Sequence, residues 1–387
     1  MEVLRVLALI LGIFIVIKAG WSVFTALVVP RVTSSTAMRG VARFLGLLVR
    51  KISPHLPNYE VRDRVLSFVG PAAMVMLFVV WLGLLLVGYG LILWFASSTS
   101  FGTSMAIAGS SIFTLGIVSN PAPQDRLLEI LASGTGLLVV ALEIAYLPAL
   151  YNAFATRETE VTLLATRSGT PAWGPEILAR HHYLQTMDEL PELYGNWERW
   201  AATVSESQSN YPALMWFRSP VSSRSWLVAL VAMMDSAALY HSVSPQTTPH
   251  QARLFLSMGN NCLRAMARAL DITYNADPLP EDGIRLTRAE FDEGYARLEG
   301  AHFALERDNE EAWRHFHGWR VNYEQIVDSL TRLVVPPPAP WFLDRPELGA
   351  IDWPVVRNRT PDDPNGVQTF GSSKTLSTPS PRESNNS

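Results

Sequence analysis

Residues 72–96, AAMVMLFVVWLGLLLVGYGLILWFA, run for twenty-five positions without a charge. As a helix this stretch is about 37 Å long, more than the ~30 Å of hydrocarbon in a bilayer. Two further stretches share the property. Residues 3–29 are interrupted only by Arg5 and Lys18, and residues 127–154 carry Glu143 as the one charge deep inside. The first stretch is too long for the apolar core of a cleaved leader, and no small-x-small cleavage site follows it, so a retained helix is expected.

The chain has 387 residues, 48% hydrophobic and 17% charged, and the apolar excess lies before about residue 156. A membrane half followed by a soluble half accounts for that asymmetry. A net charge of −4 gives no reason to expect nucleic-acid binding. The single cysteine, Cys262, rules out an intrachain disulfide and suits a reducing compartment.

Loop charge sets the expected orientation. Between the first two apolar stretches lie Arg31, Arg39, Arg43, Arg50, Lys51, Arg62 and Arg64 against Glu60 and Asp63, whereas the next connection offers only Arg126. The basic loop is therefore expected in the cytoplasm, with the N-terminus outside and the C-terminal half inside. Within it, AMRGVARFLGLLVRKI (37–52) sets arginines around Val, Phe and Leu at helical spacing. That pattern predicts an amphipathic helix, either on the inner leaflet among anionic head groups or packed on its own domain.

Residues 99–113, TSFGTSMAIAGSSIF, are short, moderately apolar and rich in small side chains. A helix over 102–113 spans about 18 Å, half a membrane. Irregular backbone at membrane depth is tolerated only where protein buries it or it lines a water-filled cavity. A short helix and irregular chain between two spans is the layout of a re-entrant pore loop, its C-terminal dipole favouring a cation.

Outer span, short helix, Thr-x-Gly, then an inner span with small residues and a proline: over residues 70–156 the chain resembles the two-span pore module of the potassium-channel superfamily. The resemblance implies a tetramer and a pathway past Thr114, Leu115, Gly116, Ile117 and Val118. Against the superfamily's Thr-x-Gly-Tyr-Gly-Asp, Thr114 and Gly116 fit, and the next three positions do not. Val118 replaces the second glycine, and a β-branched residue resists positive φ. Ile117 replaces the bracing tyrosine and Ser119 the acid at the mouth. The implied conduction is of monovalent cations with weak or no potassium selectivity. The literal Gly-Tyr-Gly at 88–90 has no preceding threonine and lies inside an unbroken apolar run, where Gly88 and Gly90 suit close helix packing.

In the third span, residues 132–136 are small, and Pro148 is expected to act as a hinge or a silent kink. An acid at Glu143 is costly in hydrocarbon and faces protein or water. Either one Glu143 per subunit rings a cavity, or Glu143 pairs with Lys18, which a count from the outer ends puts at the same depth; the pair is the favoured reading.

Beyond residue 157 the pattern is helical and mixed in polarity. Residues 222–242 are apolar enough for a fourth span, but Asp235, Arg224 and polar surroundings favour a buried core helix. No phosphate loop, dinucleotide fingerprint, nucleophile elbow or zinc-protease motif occurs. His181-His182 and His315-x-His317 point to different helix faces and suit surface or core positions better than metal ligation. Trp173, Trp197, Trp200, Trp216, Trp226, Trp313 and Trp319 suit the core or helix packing best, with the lining of a binding pocket as the alternative. A proline-rich strap anchored by Trp341, Phe342 and Trp353 follows, and then a polar tail.

The expected molecule is all-α: three spans plus a re-entrant pore helix, with a helical cytoplasmic domain. Its parts are a first span (1–30), a basic loop (31–70), a pore module (71–156), a cytoplasmic domain (157–335) and a tail (336–387). The expected role is a channel-like plasma-membrane protein, with a non-conducting scaffold or sensor as the alternative. Membrane lipids, monovalent cations and further copies of the chain are the expected partners, and neither a cofactor nor enzyme chemistry is expected.

Overall fold

The computed structural model describes residues 2–29, 40–41, 44–48, 51, 59–97, 99–119 and 123–342. Arg31, Arg39, Arg43, Arg50, Trp353 and the polar tail, on which expectations were placed, lie outside the described residues. The described chain is helical, with no strand among the described residues. Its helices are α1 (Glu2–Leu27), α2 (Tyr59–Leu66), α3 (Val69–Ala96), α4 (Phe101–Ile112), α5 (Pro123–Ser168), α6 (Gly174–Tyr183), α7 (Leu190–Asn210), α8 (Trp226–Val243), α9 (His250–Ala269), α10 (Arg288–Gly300) and α11 (Asn309–Val334).

Four stretches are long and apolar enough to cross a membrane, on α1, on α2–α3, on α5 and on α8. The protein covers only 17% of the most apolar window on α1 and on α5, but 94% of that on α8. The first and third therefore present bare apolar faces, whereas every residue of α8 except His241 is buried.

Close backbone approach holds α1 on α3. A Cβ at Gly88 would lie 2.7 Å from Val16 Cγ2, and one at Gly12 would lie 2.7 Å from the Gly88 carbonyl. Small residues there let the two apolar helices approach backbone to backbone. Trp81 Nε1 donates to Ser22 Oγ at 2.9 Å, satisfying the indole in this contact. Gly90 in turn receives the Met105 side chain of α4. The Gly-Tyr-Gly of residues 88–90 is thus a helix-packing surface.

Around α8 wrap α6, α9 and α11, with α5 and α7 at its margins. Its one acid, Asp235, forms an ion pair with Arg320 and accepts from the Tyr323 hydroxyl at 2.7 Å. Arg320 Nε also donates to Glu324 Oε2 at 2.5 Å. Burying these charges is tolerable because each has a partner. Trp173, Trp197, Trp200 and Trp226 are buried, and Trp216, Trp313 and Trp319 pack against the same core. The proline-rich strap ends its described part with Trp341 among Phe291, Phe316 and Trp173. Its indole donates to the Glu290 carbonyl at 2.9 Å.

In the basic loop, residues 40–41, 44–48 and 51 are helical. Val41 and Leu45 are buried on the protein, while Phe44, Leu47 and Leu48 are exposed. The described part of this segment therefore has one buried and one exposed apolar face.

Candidate functional site

Helix α4 begins where α3 ends. Ser100 caps it, its hydroxyl accepting from the Thr103 N–H at 3.2 Å. The helix then folds back along α3, with Met105 against Gly90 and Gly109 near Leu86. Twelve residues carry it about 18 Å along that direction. Its far end meets α5. A Cβ at Gly136 would collide with the Ile112 backbone, and Ser133 Oγ donates to the Ser111 carbonyl at 2.9 Å. Tyr89 on α3 hydrogen-bonds Thr135 on α5 at 2.8 Å beside this contact.

The helix stops at Ile112, one residue before the sequence expectation, and the reason is a C-terminal cap. The Thr114 N–H donates to Ser111 O at 2.9 Å and the Leu115 N–H to Ser110 O at 2.8 Å, with Thr114 at φ +54°. This is the Schellman arrangement. It also ends α6, α9 and α10, where Gln185, Asp271 and His302 each adopt φ +58°. In none of the four is the left-handed residue glycine. At Thr114 the β-branched side chain makes that conformation costly; its hydroxyl donates to the Phe113 carbonyl at 2.8 Å. The Thr-x-Gly threonine therefore serves first as a helix cap.

From Phe113 to Ser119 the chain is irregular. Gly116 adopts φ +66°, which its missing Cβ permits. The Val118 N–H returns to Ser110 Oγ at 3.1 Å, tying the segment to its own helix. Val118 packs into the apolar cluster. Leu115 and Ile117 point away from it, 58% and 76% exposed. Among the described residues, no hydrogen bond reaches the carbonyls of Thr114, Leu115, Gly116 or Ile117. Four of the five expected pathway residues are thus exposed on one loop and Val118 is drawn into the cluster, with four free acceptors between two apolar helices.

The favoured Lys18–Glu143 pair does not form within the chain. Lys18 is exposed on α1 with Nζ 5.7 Å from the Phe14 ring centroid, and Glu143 is half-buried on α5. The physical reason is layout: α1 lies against α3 along its length and touches α5 only marginally. Helix α5 continues through Pro148 to Ser168, so the expected hinge residue lies within one unbroken element.

A second constellation had no sequence motif. Arg157 on α5 is fully buried, donating to Glu158 Oε1 (2.9 Å), Leu214 O (2.8 Å) and Phe217 O (2.7 Å). Next to it, Arg218 donates to Asp63 Oδ1 (2.5 Å), the Tyr59 hydroxyl (2.7 Å) and the carbonyls of Val334 (2.7 Å) and Val335 (2.9 Å). A Cβ at Gly70 would lie 2.7 Å from Phe217 Cδ2. Residues 212–218 therefore fasten α2, the start of α3, the middle of α5 and the end of α11 to one another. The only sequence signals were an arginine at the foot of an apolar run and another in WFRSP.

A cleft of about 510 Å³ between residues 275–285 and α11 is the other concave feature of note. Its Arg285 and Asp328 side chains pair with each other, and Glu324 and Gln325 accept from the Arg285 and Asn275 N–H groups. Its polar groups are thus used within the protein.

No protein family, no curated protein and no solved structure matches this chain.

Proposed function

We propose that the chain is a multi-pass membrane protein in which α3, α4 and α5 form a channel-type pore module in an oligomer. Three helices, α1, α3 and α5, cross the bilayer; α8 is the core of a cytoplasmic domain; α4 and residues 113–119 form a re-entrant loop. The N-terminus lies outside, and the protein resides in the plasma membrane. The loop conducts monovalent cations with little potassium selectivity. One observation carries this reading: four consecutive carbonyls without donors follow the C-terminal end of a half-length helix between apolar elements. In hydrocarbon each unmade bond costs several kcal/mol, so water or ions must reach them. The C-terminal end of α4 adds negative potential there.

Purified protein in planar bilayers tests it. Cation current is expected from the intact protein, and Gly116→Val is expected to remove it while oligomer size is unchanged, because valine resists φ +66°. Silence of the intact oligomer across voltage and pH would sink the conducting reading. A second reading then stands, a non-conducting scaffold or sensor. It is favoured by Thr114 acting as a helix cap and by Val118 being drawn into the apolar cluster.

A further inference from the structure

Two charges lie deep on the apolar helices, and neither has an ion-pair partner among the described residues. Contacts along α3 give their levels. Gly12 faces Gly88 and Ser22 bonds Trp81, so Lys18 lies level with about residue 84 of α3. Thr135 bonds Tyr89, and Leu150 clusters with Met74, so Glu143 lies level with about residue 81. The two charges therefore differ in depth by about one helical turn, ~5 Å. They occupy different outer faces of the same bundle.

Lys18 sits on an exposed stripe with Leu11, Phe14 and Trp21, each more than half exposed. It is nine residues from the end of α1, about 13 Å, so extension alone does not bring its ammonium out of the hydrocarbon. An unpaired ammonium at that depth is costly. The contact with the Phe14 ring offsets only part of that cost. A carboxylate at the same depth removes the remaining deficit and loses its own. Glu143 is half-buried beside the exposed Ile144 and Leu147 of α5, where a neighbouring α1 has room to lie.

We propose that a second copy of this chain covers these faces, and that Lys18 of one copy pairs with Glu143 of the next within the bilayer. The proposal rests on the oligomeric part of the reading above, not on conduction. Lys18 and Glu143 lie on different faces, so the contact is head-to-tail, the kind that builds rings when its rotation closes. Glu143 is then a subunit fastener and not a charge lining the pore.

The test uses the full chain in lipid vesicles with Lys18→Cys and Glu143→Cys combined, treated with a short bis-maleimide. The native Cys262 is buried and does not compete. A ladder of covalent dimers and higher species on denaturing gels, lost in either single variant, is the expected result. Oligomers that survive in native mass measurements but yield no intermolecular product overturn the pairing and leave the oligomer standing. Unsubstituted protein that is monomeric in native mass measurements overturns both. Should the cysteine variants fold poorly, charge exchange decides: Lys18→Glu and Glu143→Lys each lose the oligomer, and their combination restores it. Failure of the combination to restore it counts against the pair.

Discussion

Arg218 shows how much one side chain can hold. Its guanidinium satisfies a carboxylate, a phenol and two terminal carbonyls of α11 at once. A planar fork of five donors can do this and an ammonium cannot. Its side chain is 8% exposed and that of Asp63 12%, so removing the cation leaves a largely dry carboxylate without compensation. Arg218→Ala is expected to cost about 3 kcal/mol, read as a lowered melting temperature in detergent. Arg218→Lys should recover only part of the loss. A melting temperature unchanged by the alanine would mean that the junction carries no load. Thr114 teaches the complementary lesson. Its identity suggested a filter, but its backbone is committed to ending a helix, and the same geometry at Gln185, Asp271 and His302 shows the cause to be local capping.

Among the elements, α4 depends on α5 for its position. Gly136 admits the Ile112 backbone, and Ser133 bonds the carbonyl just before it. Gly136→Val puts branched carbons into that contact and is expected to destabilise the apolar bundle by about 1–3 kcal/mol. In denaturant titrations in detergent, the bundle should unfold earlier while the tryptophan-rich domain keeps its own midpoint. A simultaneous shift of both would argue that the two halves unfold as one unit through the Arg157 and Arg218 contacts. The half-length of α4 was legible beforehand from small residues and an apolar run on either side; the Ser100 cap was not read in advance. The Schellman stop was not, because Thr114 is a poor left-handed residue and only the surrounding hydrogen bonds select it.

Across the whole molecule, the decisive contrast is between apolar helices that remain bare and one that does not. If α8 is the core of the C-terminal helical domain and not a crossing, reporters fused to the two ends of the chain should lie on opposite sides of the membrane. A fourth crossing would put them on the same side. The apolar runs, the polarity break near residue 156 and the short helix before Thr114 follow from the sequence alone, because length, hydropathy and period are local properties. Hydropathy by itself left α8 ambiguous. Its burial needs the surrounding helices α6, α9 and α11 and the Asp235–Arg320 pair, whose residues lie 85 positions apart. The same holds for Lys18 and Glu143. Equal depth could be counted along the chain, but which faces the two charges occupy depends on how α1 and α5 pack around α3, and packing is decided only in three dimensions.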